Sequence, residues 1–253
     1  MQELSPGKCV YFISDFHLGI PTRQSSLERE RKIVRWLDHV KSDAQVIYLM
    51  GDVFDYWFEY REAVPKGYVR LLGKLAELSD AGIELHYFTG NHDMWVFDYL
   101  PQEIGLRIHR RPITSDYRGR RFFLGHGDGL GPGDHGYKFI KAVFANPVCQ
   151  WLFARIHPNL GLGVMRFFSR RSRLATGSDD ETFKGEDKEW LVVFCKEQLK
   201  KQHYDFFIFG HRHLPIDLQL PNESRYINLG EWLHHCMYAR FDGTTLQLMR
   251  FED

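Results

Sequence analysis

The sequence predicts an α/β fold in which helices cover both faces of a sheet, with a helical insertion late in the chain. Short apolar runs typical of strands alternate with helical periodicity in the first half, and polar side chains follow each run. Between residues 134 and 204 the strand signals stop and only helical periodicity remains. Because alternating strands and helices favour a sheet flanked by helices, we expect a core of residues 1–133 and 205–253. Residues 134–204 are interpreted as a helical insertion that forms a lid.

The first half supplies the alternating elements. Apolar strands are predicted at residues 10–13, 45–50, 83–89 and 121–124, and helices at about 26–41 and 67–81. Ser25 or Ser26 can cap the first helix, because a serine hydroxyl accepts a hydrogen bond from a free N–H group of the first turn.

The insertion and the closing strands make up the second half. Apolar residues recur at helical spacing from about residue 137 to 168, and a last helix is predicted at 190–200. A strand follows at 205–209, and three short β segments are predicted at about 226–228, 236–241 and 244–250. Asp242-Gly243, between the last two segments, is a two-residue hairpin signal.

Composition indicates a globular protein of a reducing compartment. The chain has 253 residues, of which 43% are hydrophobic, which suits one large domain or a domain with an insertion. Lys+Arg and Asp+Glu both number 33, so we expect no nucleic-acid partner, and no obligate protein partner is evident. The four cysteines form no Cys-x-x-Cys pair, which argues against disulfides and zinc-thiolate sites. Since neither a signal segment nor a run of about 20 apolar residues is present, we expect a cytoplasmic protein.

Polar side chains at the predicted strand ends form a candidate metal site. Ligands of α/β folds bind at the carboxyl ends of strands. Any one of these motifs is more often a turn or a surface pair, but their recurrence after successive strands favours a common site. Mixed nitrogen and oxygen donors suit Mn, Fe or Zn, and seven donors suit two ions, about 3.5–4 Å apart, that share a carboxylate. The seven are Asp15, His17, Asp52, Asn91, His126, His211 and His213.

These motifs resemble those of the calcineurin-like metallophosphoesterase superfamily. The resemblance implies an α/β/β/α sandwich in which the late strands form the second sheet. It also implies that Asp15, His17 and His213 hold one ion and that Asn91, His126 and His211 hold the other, while Asp52 bridges them. In chain order the motifs are Asp15-x-His17, Gly51-Asp52, Gly90-Asn91-His92-Asp93, Gly125-His126 and Gly210-His211-x-His213.

The resemblance implies an enzyme that hydrolyses phosphoric anhydrides or phosphoesters with two divalent ions. Two neighbouring cations lower the pKa of a bridging water, which gives hydroxide at neutral pH, and they stabilise charge on phosphoryl oxygens. His92, next to the ligand Asn91, is the candidate to stabilise the phosphoryl group or to protonate the leaving oxygen. Asp55 is the candidate to orient His92.

Two features resemble one branch of the superfamily, the UDP-2,3-diacylglucosamine pyrophosphatases of lipid A biosynthesis. Aromatic residues closely follow Asp52, and the insertion is long and apolar. The resemblance implies hydrolysis of UDP-2,3-diacylglucosamine to UMP and 2,3-diacylglucosamine 1-phosphate, with manganese as the metal. It further implies peripheral binding to the cytoplasmic face of the inner membrane and acyl chains held under the lid. The implied substrate contacts are Asn91, His92, Asp134, Tyr137 and Ser172.

Alternatives remain at the level of the substrate. That branch usually has arginine where this chain has His92, so hydrolysis of another nucleotide-diphospho or phosphodiester substrate is an alternative. In that case the insertion is a plain helical cap, and its arginines at positions 170, 171 and 173 form a solvated basic patch rather than a membrane-resting edge. A non-catalytic scaffold is a third reading, and the intact ligand set argues against it.

Overall fold

The first of two central sheets carries the amino-terminal strands of the chain. The computed structural model describes residues 3–20, 25–132, 135–176 and 182–252, without the side chains of 135 and 172–176. Six strands follow the order β11-β10-β1-β2-β3-β4. β1 to β4 are parallel, whereas β10 is antiparallel to β1 and β11 is antiparallel to β10. The strands are β1 (Cys9–Ile13), β2 (Ala44–Leu49), β3 (Glu84–Phe88), β4 (Arg107–His109), β10 (Met237–Phe241) and β11 (Leu246–Arg250).

The second sheet contains strands from the middle and late chain, in the order β5-β6-β7-β9-β8. β6, β7 and β9 are parallel, and β5 and β8 pair antiparallel at the two edges. The expectation that the late strands form the second sheet is therefore wrong for β10 and β11. These two extend the first sheet because β10 pairs with β1. The strands are β5 (Ile113–Tyr117), β6 (Arg120–Leu124), β7 (Phe206–Phe209), β8 (Pro215–Gln219) and β9 (Arg225–Leu229).

Seven helices are present among the described residues. The first begins after a capping box, in which the Ser25 side chain accepts from the Glu28 N–H and the Glu28 side chain accepts from the Ser25 N–H. The helices are α1 (Ser26–Val40), α2 (Val69–Asp80), α3 (Tyr99–Ile104), α4 (His135–Ala145), α5 (Pro147–Phe153), α6 (Pro158–Thr176) and α7 (Trp190–Leu199).

Three buried apolar clusters separate four layers. Because side chains alternate along a strand, Tyr11 and Ile13 of β1 face α1 and α2, while Val10 and Phe12 pack between the two sheets. The third cluster joins α7 to the second sheet, with Leu191 among its members. The molecule is thus an α/β/β/α sandwich, which confirms the predicted fold class.

The insertion is attached to the core through aromatic contacts, and much of its apolar surface is exposed. Trp95 packs on Phe144 of α4 and Phe153 of α5, with ring centroids 5.3 and 4.7 Å apart, and its indole N–H donates to the Phe144 carbonyl. No described helix is long and apolar enough to cross a membrane. α7 packs on the second sheet, whereas α4 to α6 project many exposed apolar side chains. Those at least half exposed are Phe139, Ile140, Val148, Trp151, Leu152, Leu160, Phe167 and Phe168.

Candidate metal centre

The seven predicted ligands meet at the carboxyl ends of the parallel strands of both sheets. Loops after β1, β2 and β3 carry the residues from the first sheet, and loops after β6 and β7 carry those from the second. The structure brings six of them into two groups that share Asp52, and Asn91 joins through His126. Their roles as ligands stay a prediction, but all seven lie in one site.

The first group consists of Asp15, His17, Asp52 and His213, whose donor atoms lie within 4.8 Å of one another. The Nε2 atoms of His17 and His213 are 2.9 Å apart. Asp15 Oδ1 is 3.6 Å from the first and 3.3 Å from the second. The lone pairs of these side chains point at one small space and repel one another, and a bound cation would offset that repulsion.

The second group contains Asp52, His126 and His211. His126 Nε2 lies 3.4 Å from Asp52 Oδ2 and 3.3 Å from Asn91 Oδ1. The same Asp52 oxygen is 3.9 Å from His17 Nε2 in the first group. One carboxylate oxygen therefore faces both groups, which is the arrangement expected of a bridging ligand.

The two carboxylates are held by the backbone in a way that exposes one oxygen each to the site. Asp15 Oδ2 accepts the His211 N–H at 3.0 Å, and Asp52 Oδ1 accepts the His92 N–H at 2.9 Å. The other oxygens, Asp15 Oδ1 and Asp52 Oδ2, are buried without a hydrogen-bond partner among the described residues. Because a buried carboxylate oxygen without a partner is costly, these orphaned atoms together with the imidazole donors fit divalent cations.

Backbone contacts also set the tautomer of His126. Its Nδ1 lies 2.9 Å from the Met50 carbonyl oxygen, which can only accept a hydrogen bond. Nδ1 therefore carries the proton and Nε2 presents its lone pair to the site when the ring is neutral. A second ring nitrogen held in this way is characteristic of histidines that bind metals.

Charge is concentrated in this cluster. Burial opposes ionisation of Asp15, but the neighbouring imidazoles of His17 and His213 hold the pKa of its carboxyl below its usual range. Burial likewise opposes charge on His126, yet the neighbouring Asp52 carboxylate raises the pKa of its imidazole to about 10. The Asp52 carboxylate thus favours a proton on His126, and a metal ion bound at Nε2 would compete with that proton.

Asp55 and His92, the candidate catalytic pair, lie beside the first group. His92 Nδ1 is 3.0 Å from the Asp55 carbonyl oxygen and 3.5 Å from its carboxylate Oδ1. The His92 and His17 rings meet edge to face, with centroids 4.9 Å apart. Asp55 is therefore placed to hold His92, although the catalytic roles of both residues stay a prediction.

Ser169 of α6 completes this pair and was not predicted from the sequence. Its hydroxyl donates to Asp55 Oδ1 at 2.8 Å and lies 3.3 Å from His92 Nδ1. One serine in an amphipathic helix gives no signal by itself, because its partners lie far away in the sequence.

Asp93 is a second residue that the sequence did not single out as part of the site. Its carboxylate is fully buried and accepts the N–H groups of Val53 and Gly90, both at 2.8 Å, as well as the Tyr87 hydroxyl. It thereby ties the loop that carries Asp52 to the loop that carries Asn91. The only sequence signal is its place at the end of Gly90-Asn91-His92-Asp93.

Arg212 supports the two histidines between which it stands. Its guanidinium forms a two-pronged ion pair with Glu189, with both N–O distances 3.0 Å, and both side chains are about 1% exposed. It also donates to the Thr182 carbonyl. A buried pair of this kind fixes geometry, here joining the start of α7 to the loop of His211 and His213.

Of the three substrate contacts predicted in the insertion, only the Tyr137 side chain belongs to the described residues. Asp134 lies outside the described residues, and so does the side chain of Ser172 in α6. Tyr137 of α4 donates its hydroxyl to Asp128 Oδ2 at 2.5 Å, and Lys141 contacts the same oxygen at 2.5 Å. Asp128, two residues after His126, thus links α4 to the metal site.

Proteins of similar sequence are known. The family model of the calcineurin-like phosphoesterases matches residues 10–215. A UDP-2,3-diacylglucosamine hydrolase of Porphyromonas gingivalis is 42% identical over 256 residues, covering 96% of this chain and 98% of the relative. The protein of the same name from Hahella chejuensis is 28% identical over 95% of this chain and 96% of the relative. Among solved structures, YfcE, a phosphoesterase from E. coli, aligns with a TM-score of 0.46 and 16% identity, covering 96% of this chain and 92% of that chain.

Proposed function

The chain belongs to the calcineurin-like phosphoesterase family, and we propose that it hydrolyses the pyrophosphate of UDP-2,3-diacylglucosamine to UMP and 2,3-diacylglucosamine 1-phosphate. The observation that carries the hydrolytic chemistry is the pair of buried donor groups sharing Asp52. The substrate is supported by the 42% identity to a UDP-2,3-diacylglucosamine hydrolase, which extends over the core and the insertion alike.

The metals expected in this family have suitable ligands here. Asp15, His17 and His213 would hold one ion, and Asn91, His126 and His211 the other, with Asp52 between them. Mn²⁺ suits this mixture of imidazole and oxygen donors. Divalent ions in these positions would supply Lewis-acid charge for phosphoryl oxygens and would acidify a nucleophilic water.

His92 is the residue of this chain that we assign to the reacting phosphate. Its Nδ1 faces the Asp55 carbonyl oxygen at 3.0 Å and so carries a proton. Its Nε2, on the far side of the ring, can donate to a phosphoryl oxygen or to the leaving oxygen when the ring is protonated. Asp55 keeps the ring in this orientation, as a carboxylate beside a catalytic imidazole commonly does.

The nucleotide-sugar part of the substrate would lie between the metal cluster and the insertion. Asn91 and His92 face it from the loop after β3, and we assign further contacts to Asp134, Tyr137 and Ser172. Tyr137 is supported by its hydrogen bond to Asp128, next to His126 in the site.

The insertion is the proposed receptor for the acyl chains and the part that rests on the inner membrane. Trp151 and Phe167 are 56% and 60% exposed, and Phe168 is 61% exposed. Exposed apolar side chains of this kind, with Arg170 and Arg171 exposed in the same insertion, are typical of peripheral contact with an anionic lipid surface. A substrate with two acyl chains is supplied from such a surface.

The proposal is tested by comparing substrates that differ only in their lipid part. Purified protein loaded with Mn²⁺ is incubated with UDP-2,3-diacylglucosamine, UDP-glucose or an aryl phosphodiester, and products are identified by mass. We expect UMP and lipid phosphate from the first substrate and little turnover of the other two. Cleavage of the small substrates alone would remove the lipid assignment and leave the hydrolytic chemistry in place.

Two controls separate chemistry from contamination. The Asp52→Asn variant removes the shared charge and is expected to lose both activity and bound metal, measured by elemental analysis. Chelation of the wild-type protein should abolish turnover, and Mn²⁺ should restore it. Full activity of the metal-free protein or of Asp52→Asn would contradict the assignment of this site.

A further inference from the structure

Ser169 is the point at which the insertion touches the candidate catalytic pair. It lies in α6 and is 8% exposed. Its hydroxyl donates to Asp55 Oδ1 at 2.8 Å, across 114 positions of the sequence, and lies 3.3 Å from His92 Nδ1. A buried hydroxyl with two polar partners in the site has a more specific role than helix packing alone requires.

The direction of each hydrogen bond follows from the atoms involved. The Asp55 carboxylate can only accept when ionised, so the serine proton points to Oδ1. The serine oxygen then offers a lone pair to His92 Nδ1, which also faces the Asp55 carbonyl oxygen at 3.0 Å. With acceptors around it, Nδ1 must carry a proton, and Nε2 faces the phosphate, to which it can donate when the ring is doubly protonated.

We propose that Ser169 is a positioning residue that fixes the tautomer and orientation of His92, so that α6 must be seated for His92 to act. The hydroxyl holds Asp55 Oδ1 and shares the Nδ1 proton of His92. This inference deepens the proposed function and rests on it for the kinetic part of its test. Through Ser169, the position of α6 in the proposed acyl-chain receptor determines the geometry of His92 at the reacting phosphate.

A neighbouring contact of the same helix provides a matched control. Arg166, one turn before Ser169, donates to the Tyr56 hydroxyl at 2.8 Å. This contact also attaches α6 to the loop after β2, but it does not involve His92. Tyr56→Phe therefore removes one contact of the helix and leaves the Ser169 contacts in place, whereas Ser169→Ala removes the hydroxyl and keeps a good helix former.

The first readout does not depend on activity. The ring nitrogens of the histidines are observed by long-range ¹H–¹⁵N NMR in protein loaded with diamagnetic Zn²⁺, and His92→Gln identifies the His92 signals. We expect the Nδ1–H tautomer for His92 in the wild-type protein, shifted ring signals in Ser169→Ala, and wild-type signals in Tyr56→Phe. Unchanged His92 signals in Ser169→Ala, or equal shifts in both variants, would overturn the proposal.

The second readout separates kcat from KM with UDP-2,3-diacylglucosamine as substrate. Ser169→Ala is expected to lower kcat about tenfold, the effect of one hydrogen bond lost from the transition state, with KM unchanged. Tyr56→Phe should raise KM and leave kcat near the wild-type value. Ser169→Thr, which keeps the hydroxyl, should regain most of the kcat. A loss confined to KM in Ser169→Ala would contradict positioning. If the wild-type protein does not cleave this substrate, the proposed function fails while the NMR result still decides the role of Ser169.

Discussion

Replacing Asp93 by asparagine should damage the site without touching a metal ligand. The carboxylate Oδ2 accepts the Val53 N–H at 2.8 Å and the Tyr87 hydroxyl, and Oδ1 accepts the Gly90 N–H at 2.8 Å. An asparagine side chain of the same shape has one oxygen and one NH₂ group. Whichever way it turns, a buried donor faces another donor.

The magnitude follows from the groups left unpaired. One buried N–H without an acceptor costs about 1–3 kcal/mol, and bonds to a charged acceptor are stronger than bonds to an amide. Asp93→Asn is therefore expected to lower the free energy of unfolding by about 3 kcal/mol. Because the same bonds join the loops of Asp52 and Asn91, Mn²⁺ affinity should fall as well.

Urea unfolding of metal-free protein, followed by tryptophan fluorescence, measures the first effect, and calorimetric titration with Mn²⁺ measures the second. Asp98→Asn is the matched control, because Asp98 is exposed and its carboxylate contacts Gln102 at the surface. Its change should stay within about 0.5 kcal/mol. A loss below about 1 kcal/mol for Asp93→Asn, or a loss equal to the control, would refute the reasoning about unpaired donors.

Three further predictions concern the site, acid stability and the insertion. In Gly210→Ala the added Cβ would collide with the Asp15 carboxylate, so Mn²⁺ affinity measured by calorimetry should fall at least about tenfold; Gly73→Ala, in open space in α2, should instead raise stability by about 0.5–1 kcal/mol. Burial lowers the pKa of His109 to about 4, below its ordinary value of 6.5. The unfolded chain then binds the extra proton, and stability is lost as pH falls through that window; His109→Phe should lose less stability between pH 7 and pH 5 in urea unfolding, and an equal loss would count against this. Trp151→Ser should leave the unfolding free energy within about 0.5 kcal/mol but weaken flotation with anionic vesicles, and unchanged flotation would argue against membrane contact through α5.

The sequence predicted that these polar residues lie together, because each follows an apolar strand. Asp15, Asp52 and His126 follow β1, β2 and β6, and parallel strands bring their carboxyl ends to one edge. The local sequence pattern and the parallel order of the strands were together enough to predict that these residues converge. Their roles as metal ligands remain to be tested, but their convergence was predictable.

Long-range pairing was not predictable in the same way. β10 belongs to the first sheet because it pairs with β1, with Phe241 opposite Val10. Nothing in the local sequence of β10 indicates which strand it pairs with. The strand β4 and the helix α3 were missed because they are short, with three and six residues. The strands β5 and β8 were missed because they are edge strands that mix polar with apolar residues, and β8 begins at Pro215, which limits it to an edge. Ser169 was missed because its partners, Asp55 and His92, are far away in the sequence and are brought to it only by the way α6 packs on the core.

The backbone of the site shows why its geometry requires so many supporting hydrogen bonds. Five of the predicted ligands have φ between 44° and 67°, a region that non-glycine residues avoid at a cost of about 1–3 kcal/mol each. Glycine would relieve this strain but would remove the donor atom, so the strain persists only where surrounding bonds enforce it. Such bonds join the loops: the His17 N–H donates to the Asp52 carbonyl at 2.9 Å, and the His211 N–H donates to the Asp15 carboxylate at 3.0 Å. These loops thus hold one another, and Asp93 and Arg212, which are not among the predicted ligands, contribute to the geometry of the site through their hydrogen bonds. The five strained residues are Asp15, His17, Asp52, His211 and His213.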